Sequence, residues 1–297
     1  MQRKWIAILT VIGMGLLALS FFLFGAQSNA SAAAPMTLQQ DGHYTTPVSV
    51  NGEGPFDFIV DTGAQRSVIS RDLANRLGLS MLPGATVKAT SGTGAGGISF
   101  LKTYSSPLFT RRGELMVVLP SGGVVKDGAL GMDLFTSRRL ELNFANSSVR
   151  NGESGPTPTG FLKIPATIVQ NTFIVTDAII DSVHAKAVID TGARRTIANS
   201  LLRKALGFSD EDPRLTVDEP VGGGTSDTTK ASKVELGGLI LGNHRFVHPT
   251  IVFADLPILQ SLNLDDQPAV VIGLDVLKTL RAVAIDYPRR ELQLAPG

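Results

Sequence analysis

The chain has 297 residues, of which 43% are hydrophobic, and its 27 lysines and arginines nearly balance its 26 aspartates and glutamates. This length and composition allow one large core or two modest ones. The balanced charge gives no argument for a nucleic-acid partner. The sequence has no cysteine, which excludes thiol catalysis, cysteine-bound metal and disulfides. The function must therefore be read from a local site.

Residues 1–34 are predicted to be an export segment. Two positive charges precede an uncharged run over residues 5–26, and alanines at Ala32 and Ala34 complete Ala-x-Ala cleavage patterns. The alanines favour a cleaved signal peptide, but the run is also long enough to be an uncleaved membrane anchor. Both alternatives place the chain from Pro35 onward outside the cytoplasm, in a periplasm or cell envelope.

The sequence Asp-Thr-Gly-Ala occurs twice, at residues 61–64 and 190–193, an offset of 190 − 61 = 129. An apolar run precedes each copy and predicts a buried strand, 58–60 in the first case and 187–189 in the second. Two carboxylates in the same local sequence suggest one site that is assembled from two halves.

A predicted helix follows each tetrad at the same distance. Ser70 and Asn199 are suitable N-caps, and Gly78 and Gly207 can end the two helices. Between them, leucines recur at i, i+4 spacing and give each helix one apolar stripe. The match has no gaps from strand to helix, which indicates an internal duplication.

A second pair of matching sites supports the duplication. Gly131-x-Asp133 recurs as Gly273-x-Asp275, each after an apolar pair and before a short helix and two strands. Residues 151–160, rich in glycine and proline, separate the copies. The predicted organisation is therefore a first lobe at 36–150, a linker at 151–160 and a second lobe at 161–297.

A glycine-rich stretch at 91–97 lies between two predicted strands and is expected to be the tip of a mobile hairpin. Gly92, Gly94 and Gly97 formally fit the dinucleotide fingerprint G-x-G-x-x-G. That fingerprint needs a following helix, whereas the residues from Ile98 onward favour a strand, so nucleotide binding is not expected. The second lobe has its own glycine-rich element, 222–226, in the corresponding place.

Taken together, these features resemble the aspartic peptidases, and alanine in the fourth position of each tetrad makes each copy similar to a retropepsin. Retroviral members are homodimers with one such aspartate per subunit, whereas pepsin-like members carry both aspartates in one chain. Over nearly all of residues 40–295, this chain resembles a retropepsin-type unit duplicated and fused. The resemblance implies a mostly β, bilobal aspartic-peptidase (acid protease) fold with two retropepsin-like lobes and short helices.

The resemblance also implies the role of each matching residue. It assigns a catalytic dyad, Asp61 and Asp190; catalytic-loop support, Thr62, Gly63, Ala64, Thr191, Gly192 and Ala193; and a substrate-binding flap, Gly92, Thr93, Gly94, Ala95, Gly96 and Gly97. The implied activity is hydrolysis of an extended peptide or protein by a monomeric catalytic unit. Two alternatives stay open: a non-catalytic peptide-binding module of the same fold, and a peptidase whose lobes pair between chains.

No cofactor or metal is expected. His244 and His248 offer two ligands that zinc could use, but their segment is predicted to be extended and no third ligand is evident. Arg66 and Arg195 occupy equivalent positions, and we expect them to make structural ion pairs, with contact to an acidic substrate residue as the alternative.

The pairing of two aspartates has consequences for pH dependence. Two carboxylates about 3 Å apart cannot both ionise easily, so one apparent pKa rises and the other falls. Ala64 and Ala193 lack a hydroxyl that could stabilise the ionised pair, which raises pKa, whereas nearby arginines would lower it. We therefore predict optimal activity between moderately acidic and near-neutral pH.

Overall fold

The computed structural model describes residues 32–89, 92–120, 126–209, 211–222 and 228–297. Most of the predicted export segment, and the tips of both glycine-rich hairpins, lie outside these ranges. Within them, no helix has the length and apolar character needed to cross a membrane. The described chain is mostly β and forms two barrel-like lobes joined by a shared sheet, which confirms the predicted fold class.

The first lobe and its share of the joining sheet are built from strands and two short helical segments. The strands are β1 (Ala32–Pro35), β2 (Thr37–Leu38), β3 (Tyr44–Val50), β4 (Glu53–Val60), β5 (Val68–Ile69), β6 (Met81–Ala89), β7 (Gly92–Ser106), β8 (Phe109–Val118), β9 (Gly128–Leu130), β10 (Arg139–Asn143) and β11 (Ser148–Gly152). Helix α1 is Arg71–Arg76, and a 3-10 turn covers Met132–Leu134.

The second lobe repeats this order of elements. Its strands are β12 (Leu162–Pro165), β13 (Thr167–Val169), β14 (Phe173–Ile180), β15 (Val183–Ile189), β16 (Ile197–Ala198), β17 (Thr216–Gly222), β18 (Thr228–Glu235), β19 (Gly238–Leu241), β20 (His244–Val247), β21 (Thr250–Phe253), β22 (Ala269–Ile272), β23 (Ala282–Asp286) and β24 (Glu291–Ala295). Its helices are α2 (Ser200–Ala205), α3 (Pro257–Ser261) and α4 (Leu274–Leu277).

The same arrangement of paired strands lies at the centre of each lobe. Strand β4 pairs in parallel with β9, and β15 pairs in parallel with β22. In the first lobe the two-residue strand β5 also pairs antiparallel with β9, and in the second lobe β16 pairs antiparallel with β22. The two parallel pairs end at Val60 beside Leu130 and at Ile189 beside Ile272, and both tetrads begin immediately after them.

Local sequence signals account for the turns and helix ends around these strands. Asn51 and Gly52 both adopt positive φ between β3 and β4, as the Asn-Gly pair predicts. The side chains of Ser70 and Asn199 accept hydrogen bonds from the third residue after them, which confirms both N-caps. Gly78, with φ of 58°, follows the first helix in the left-handed conformation.

A six-stranded sheet joins the lobes, in the order β1-β11-β10-β23-β24-β12. Its central pair, β10 and β23, brings one strand from each lobe into antiparallel register. Its two edges are also equivalent, since Thr46 donates to the carbonyl of Pro35 at 3.0 Å and Thr176 donates to that of Pro165 at 3.0 Å. The duplication therefore extends into the interface between the lobes.

The linker differs slightly from the prediction. Strand β11 continues through Gly152, two residues into the segment predicted as linker, because Asn151 pairs with both Leu140 and Ala32. The residues that follow are tied to the joining sheet, since Ser154 donates to the buried carboxylate of Asp286 at 2.7 Å.

The predicted glycine-rich tip also lies elsewhere. Residues 92–97 belong to strand β7, where Gly94 pairs with Val87 and Gly96 pairs with Ala85. Residues 90–91, between the two strands, lie outside the described ranges. The hairpin itself is present, but the glycines form its second strand rather than its turn.

We predict that strand β1 contributes to stability. A chain that begins at Met36 loses the pairing of residues 32–35 with β11, and we expect its free energy of unfolding to fall by about 1–2 kcal/mol relative to a chain that begins at Ser31. Urea denaturation measures this difference. Deletion of Pro296 and Gly297, which follow the last strand, is the control and should have no effect. Equal stability of both N-terminal forms would contradict the prediction.

Candidate active site

The two tetrads meet at the interface between the lobes. Asp61 and Asp190 each follow a buried strand, and their backbone amides donate to the carbonyls of Leu130 and Ile272, both at 3.0 Å. Each carboxyl lies against the glycine of the opposite tetrad. The structure therefore brings together the two predicted dyad residues, which are 129 positions apart in sequence.

Backbone amides of the tetrads orient the carboxylates. The amide of Gly63 donates to Oδ1 of Asp61 at 2.8 Å, and that of Gly192 donates to Oδ1 of Asp190 at 2.8 Å. The amide of Ala193 adds a second bond to Asp190 at 3.1 Å. Each carboxylate therefore keeps one oxygen fixed by its own loop.

Glycine is required in the third position because each loop lies against the opposite aspartate. A Cβ on Gly63 would come within 2.5 Å of Cγ of Asp190, and a Cβ on Gly192 would come within 2.3 Å of Cγ of Asp61. These distances are far below contact between carbon atoms, so any side chain would push the carboxylates apart. The role assigned to the two glycines thus has a direct steric cause.

The threonines of the tetrads exchange hydrogen bonds across the interface. The amide of Thr62 donates to Oγ1 of Thr191 at 3.1 Å, and the amide of Thr191 donates to Oγ1 of Thr62 at 2.9 Å. Each hydroxyl in turn donates into the opposite lobe, Thr62 to the carbonyl of Ile189 at 2.8 Å and Thr191 to that of Val60 at 2.6 Å. Both side chains are buried. Four reciprocal bonds therefore hold the two loops together beneath the aspartates.

A further pair of contacts, which the sequence had not revealed, fixes each aspartate loop within its lobe. Asp133 accepts from the amide and hydroxyl of Ser67 at 2.8 and 2.9 Å, and Asp275 accepts from the amide and hydroxyl of Thr196 at 2.9 and 2.7 Å. Two sequence signals could have predicted these contacts: the repeated Gly-x-Asp, and the offset of 129 between Ser67 and Thr196.

The glycine of each Gly-x-Asp element is also required by close packing. A Cβ on Gly131 would come within 2.3 Å of the backbone of Arg66, and a Cβ on Gly273 within 2.5 Å of the backbone of Arg195. These elements therefore pack directly beneath the loops that carry the aspartates.

Burial governs the protonation of the dyad. It raises the pKa of Asp61 well above the ordinary aspartate value, and the negative charge of Asp190 raises it further. Burial also raises the pKa of Asp190, but hydrogen bonds from Gly192, Asp61 and Ala193 oppose this rise. The pair therefore retains a proton to higher pH than a free aspartate.

The arginines near the tetrads do not reach the carboxylates. Arg195 pairs with Asp218 and donates to the carbonyl of Glu219, which confirms its structural ion pair, and Arg194 donates to the carbonyl of Asp41 at 3.3 Å. Arg66 instead lines a pocket of about 220 Å³. The positive charge that lowers the pKa of Asp190 is that of His43, which sequence reasoning did not single out.

The predicted flap residues are not part of this constellation. In the described part of the chain, residues 94–97 have their pairing partners on β6 and β8. Gly92 and Thr93 pair with Ala89 and Lys88 at the far end of the same hairpin.

Two comparisons with known proteins give matches. The sequence profile of a family described as aspartyl protease matches residues 46–134 and 176–276, one match in each lobe. A retropepsin-like aspartic protease from Rickettsia conorii is structurally similar over 47% of this chain and 94% of its own, with 19% sequence identity and a TM-score of 0.33. No curated protein matches the sequence.

We predict that loss of one threonine hydroxyl destabilises the interface. Thr62→Val keeps the shape of the side chain but leaves the amide of Thr191 and the carbonyl of Ile189 buried without this partner. We expect the free energy of unfolding to fall by about 2–4 kcal/mol. Thr62→Ser, which keeps the hydroxyl, should recover most of the loss in urea denaturation. Equal stability of the valine and serine variants would argue against the proposed role of these bonds.

We also predict that the dyad makes stability depend on pH. Because the pKa of Asp61 is raised in the folded state, its contribution is fully present below the ordinary value of 3.8 and is lost as pH rises through the folded value. The free energy of unfolding of Asp61→Asn should therefore fall less than that of the wild type from about pH 4 to about pH 8. The exposed Asp177→Asn is the control. Parallel curves for all three proteins would contradict the assignment.

Proposed function

The chain belongs to the aspartyl protease family, and on this premise we propose that it is a single-chain aspartic endopeptidase whose dyad is Asp61 and Asp190. The observation that carries the proposal is the meeting of these two carboxyls, each against the glycine of the opposite tetrad, held by reciprocal threonine bonds across the lobes. Such a pair shares one proton and so supplies an acid and a base from two identical side chains.

The proposed reaction uses one water molecule. Ionised Asp190 accepts a proton from the water while the oxygen of that water attacks the carbonyl carbon of the peptide. Protonated Asp61 donates its proton to the carbonyl oxygen. The resulting tetrahedral diol collapses as Asp190, now protonated, donates its proton to the amide nitrogen and a diol hydroxyl returns a proton to Asp61; the C–N bond breaks, and an acid and an amine leave. We assign the base to Asp190 because the amides of Gly192 and Ala193 hold its carboxylate and oppose the rise in its pKa.

We propose that the substrate is an extended peptide or protein segment. The glycine-rich hairpins of both lobes end their sheets, since β6 is the last strand of one sheet and β17 is the last strand of the other. An edge strand offers unpaired backbone groups that an extended peptide can pair with.

We predict that either aspartate is essential. Asp61→Asn and Asp190→Asn should each lower kcat/KM for a cleaved peptide by roughly 10³-fold or more, because each removes the acid or the base. Asp177→Asn, an exposed acid of the second lobe, should retain activity. Mass spectrometry of a diverse peptide mixture incubated with the protein detects cleavage. Intact peptides at every pH, with correctly folded protein, would favour the non-catalytic binding module.

The pH profile is a second expected outcome. Activity should fall at low pH as Asp190 becomes protonated and at high pH as the shared proton is lost. Because burial raises both pKa values, we expect a bell-shaped profile of kcat/KM with its maximum between moderately acidic and near-neutral pH. A maximum near pH 2 would contradict the proposal.

The interchain alternative predicts a different result. If lobes paired between chains, a mixture of Asp61→Asn and Asp190→Asn proteins would recover activity. We expect no recovery, because Thr62 and Thr191 of one chain already satisfy each other.

A further inference from the structure

The dyad is symmetric in sequence, but the turn that precedes the first lobe's core breaks that symmetry. The two halves are aligned by the offset of 129. Residues 41 and 43 of the first half then correspond to 170 and 172 of the second, and residue 194 of the second half corresponds to 65 of the first. In one half, Gln65 donates to the side-chain oxygen of Gln170 at 3.0 Å, a contact between neutral groups. In the other half, the equivalent residues are charged, since Arg194 donates to the carbonyl of Asp41.

The difference is greatest at His43. This side chain is buried, with only 4% of its surface exposed. Its Nδ1 lies 2.9 Å from Oδ2 of Asp41, and its Nε2 lies 3.1 Å from the carbonyl oxygen of Gly192, next to the second aspartate. The equivalent residue, Thr172, instead donates within its own turn to the carbonyl of Gln170 at 3.3 Å. His43 therefore links the first lobe to the second aspartate loop with no counterpart on the other side.

The two neighbours of the ring determine its protonation state. A carbonyl oxygen can only accept hydrogen bonds, and an ionised carboxylate can only accept as well. A neutral imidazole has a single N–H, so it would leave one of its nitrogens facing an acceptor without a proton. Both contacts are satisfied only when both ring nitrogens carry hydrogen.

The charge of Asp41 supports this state. Partial burial alone would raise its pKa, but side-chain and backbone hydrogen bonds from His43, with the charges of His43 and Arg194, lower it overall. The turn also fixes the carboxylate, because the amide of His43 donates to Oδ1 of Asp41 at 3.1 Å. An ionised Asp41 is thus held in place to balance the imidazolium.

We propose that His43 is a positioning residue that makes the two aspartates unequal, because its positive charge favours ionisation at Asp190 and leaves the shared proton on Asp61. This inference rests on the proposed function for its role in catalysis. The charged groups that face His43 are Asp41, with Arg194 behind it, and the dyad carboxyl of Asp190. The positive charge of His43 opposes the rise in the pKa of Asp190, whereas the negative charge of Asp190 adds to the rise at Asp61.

The decisive experiment is an NMR titration, which does not require activity. The carboxyl ¹³C signals of Asp61 and Asp190, assigned with the two asparagine variants, are followed against pH in the wild type and in His43→Gln. Glutamine keeps a donor for Gly192 but removes the charge. We expect the lower dyad transition, the ionisation of Asp190, to move to higher pH by roughly one unit in His43→Gln, and the upper transition, loss of the proton from Asp61, to move less. The exposed His184→Gln is the matched control and should leave both transitions in place.

A second measurement, on the wild-type protein, tests the proposal even if His43→Gln does not fold. The ¹⁵N signals of the imidazole in the wild-type protein show whether both nitrogens of His43 are protonated at the pH where Asp190 ionises. We expect the doubly protonated form. A neutral ring at that pH, or unchanged dyad transitions in His43→Gln, would overturn the proposal.

Peptide cleavage separates this inference from the proposed function. If the acidic limb of the kcat/KM profile moves to higher pH in His43→Gln but not in His184→Gln, the positioning role extends to catalysis. If the carboxyl transitions shift as expected but the wild type cleaves no peptide, the proposed function fails while the effect of His43 on the dyad stands.

Discussion

The structure depends on holding two carboxyl groups together that repel each other when both are charged. Their proximity requires a compensating attraction between the lobes, and the exchanged bonds of Thr62 and Thr191 supply it directly below the pair. The close approach of the two carboxyls also needs space, which is why the residue that faces each aspartate is a glycine, Gly63 against Asp190 and Gly192 against Asp61. The third position of each tetrad is thus determined by the first position of the other.

The rest of the fold holds the two aspartate loops in this arrangement. Each aspartate loop is anchored to its own lobe by a carboxylate, Asp133 or Asp275, that accepts from the residue six positions after the aspartate. The lobes are in turn joined through the pairing of β10 with β23. A change at the joining sheet would therefore alter the separation of the carboxyls without touching them.

Much of this was predictable because the repeat has no gaps from strand to helix. An offset of 129 aligned the dyad and both helix caps, the Gly-x-Asp elements recurred at an offset of 273 − 131 = 142, and the hydrophobic runs placed the strands before the dyad. Hairpin register was not predictable, because a stretch of glycines such as 92–97 carries no side-chain alternation, so its turn was misplaced. His43 was missed because its partner is a backbone carbonyl 149 positions away, which no side-chain pattern reveals.

Fusion of the two units in one chain permits what a symmetric dimer cannot have. In a homodimer every side chain occurs on both sides of the axis, so a cation beside one aspartate would also lie beside the other, and the shared proton would have no preferred side. Here position 43 is histidine and its equivalent, 172, is threonine. The scaffold keeps its two-fold geometry, because that geometry brings the carboxyls together. The charges around it are free to differ, and they separate the acid from the base.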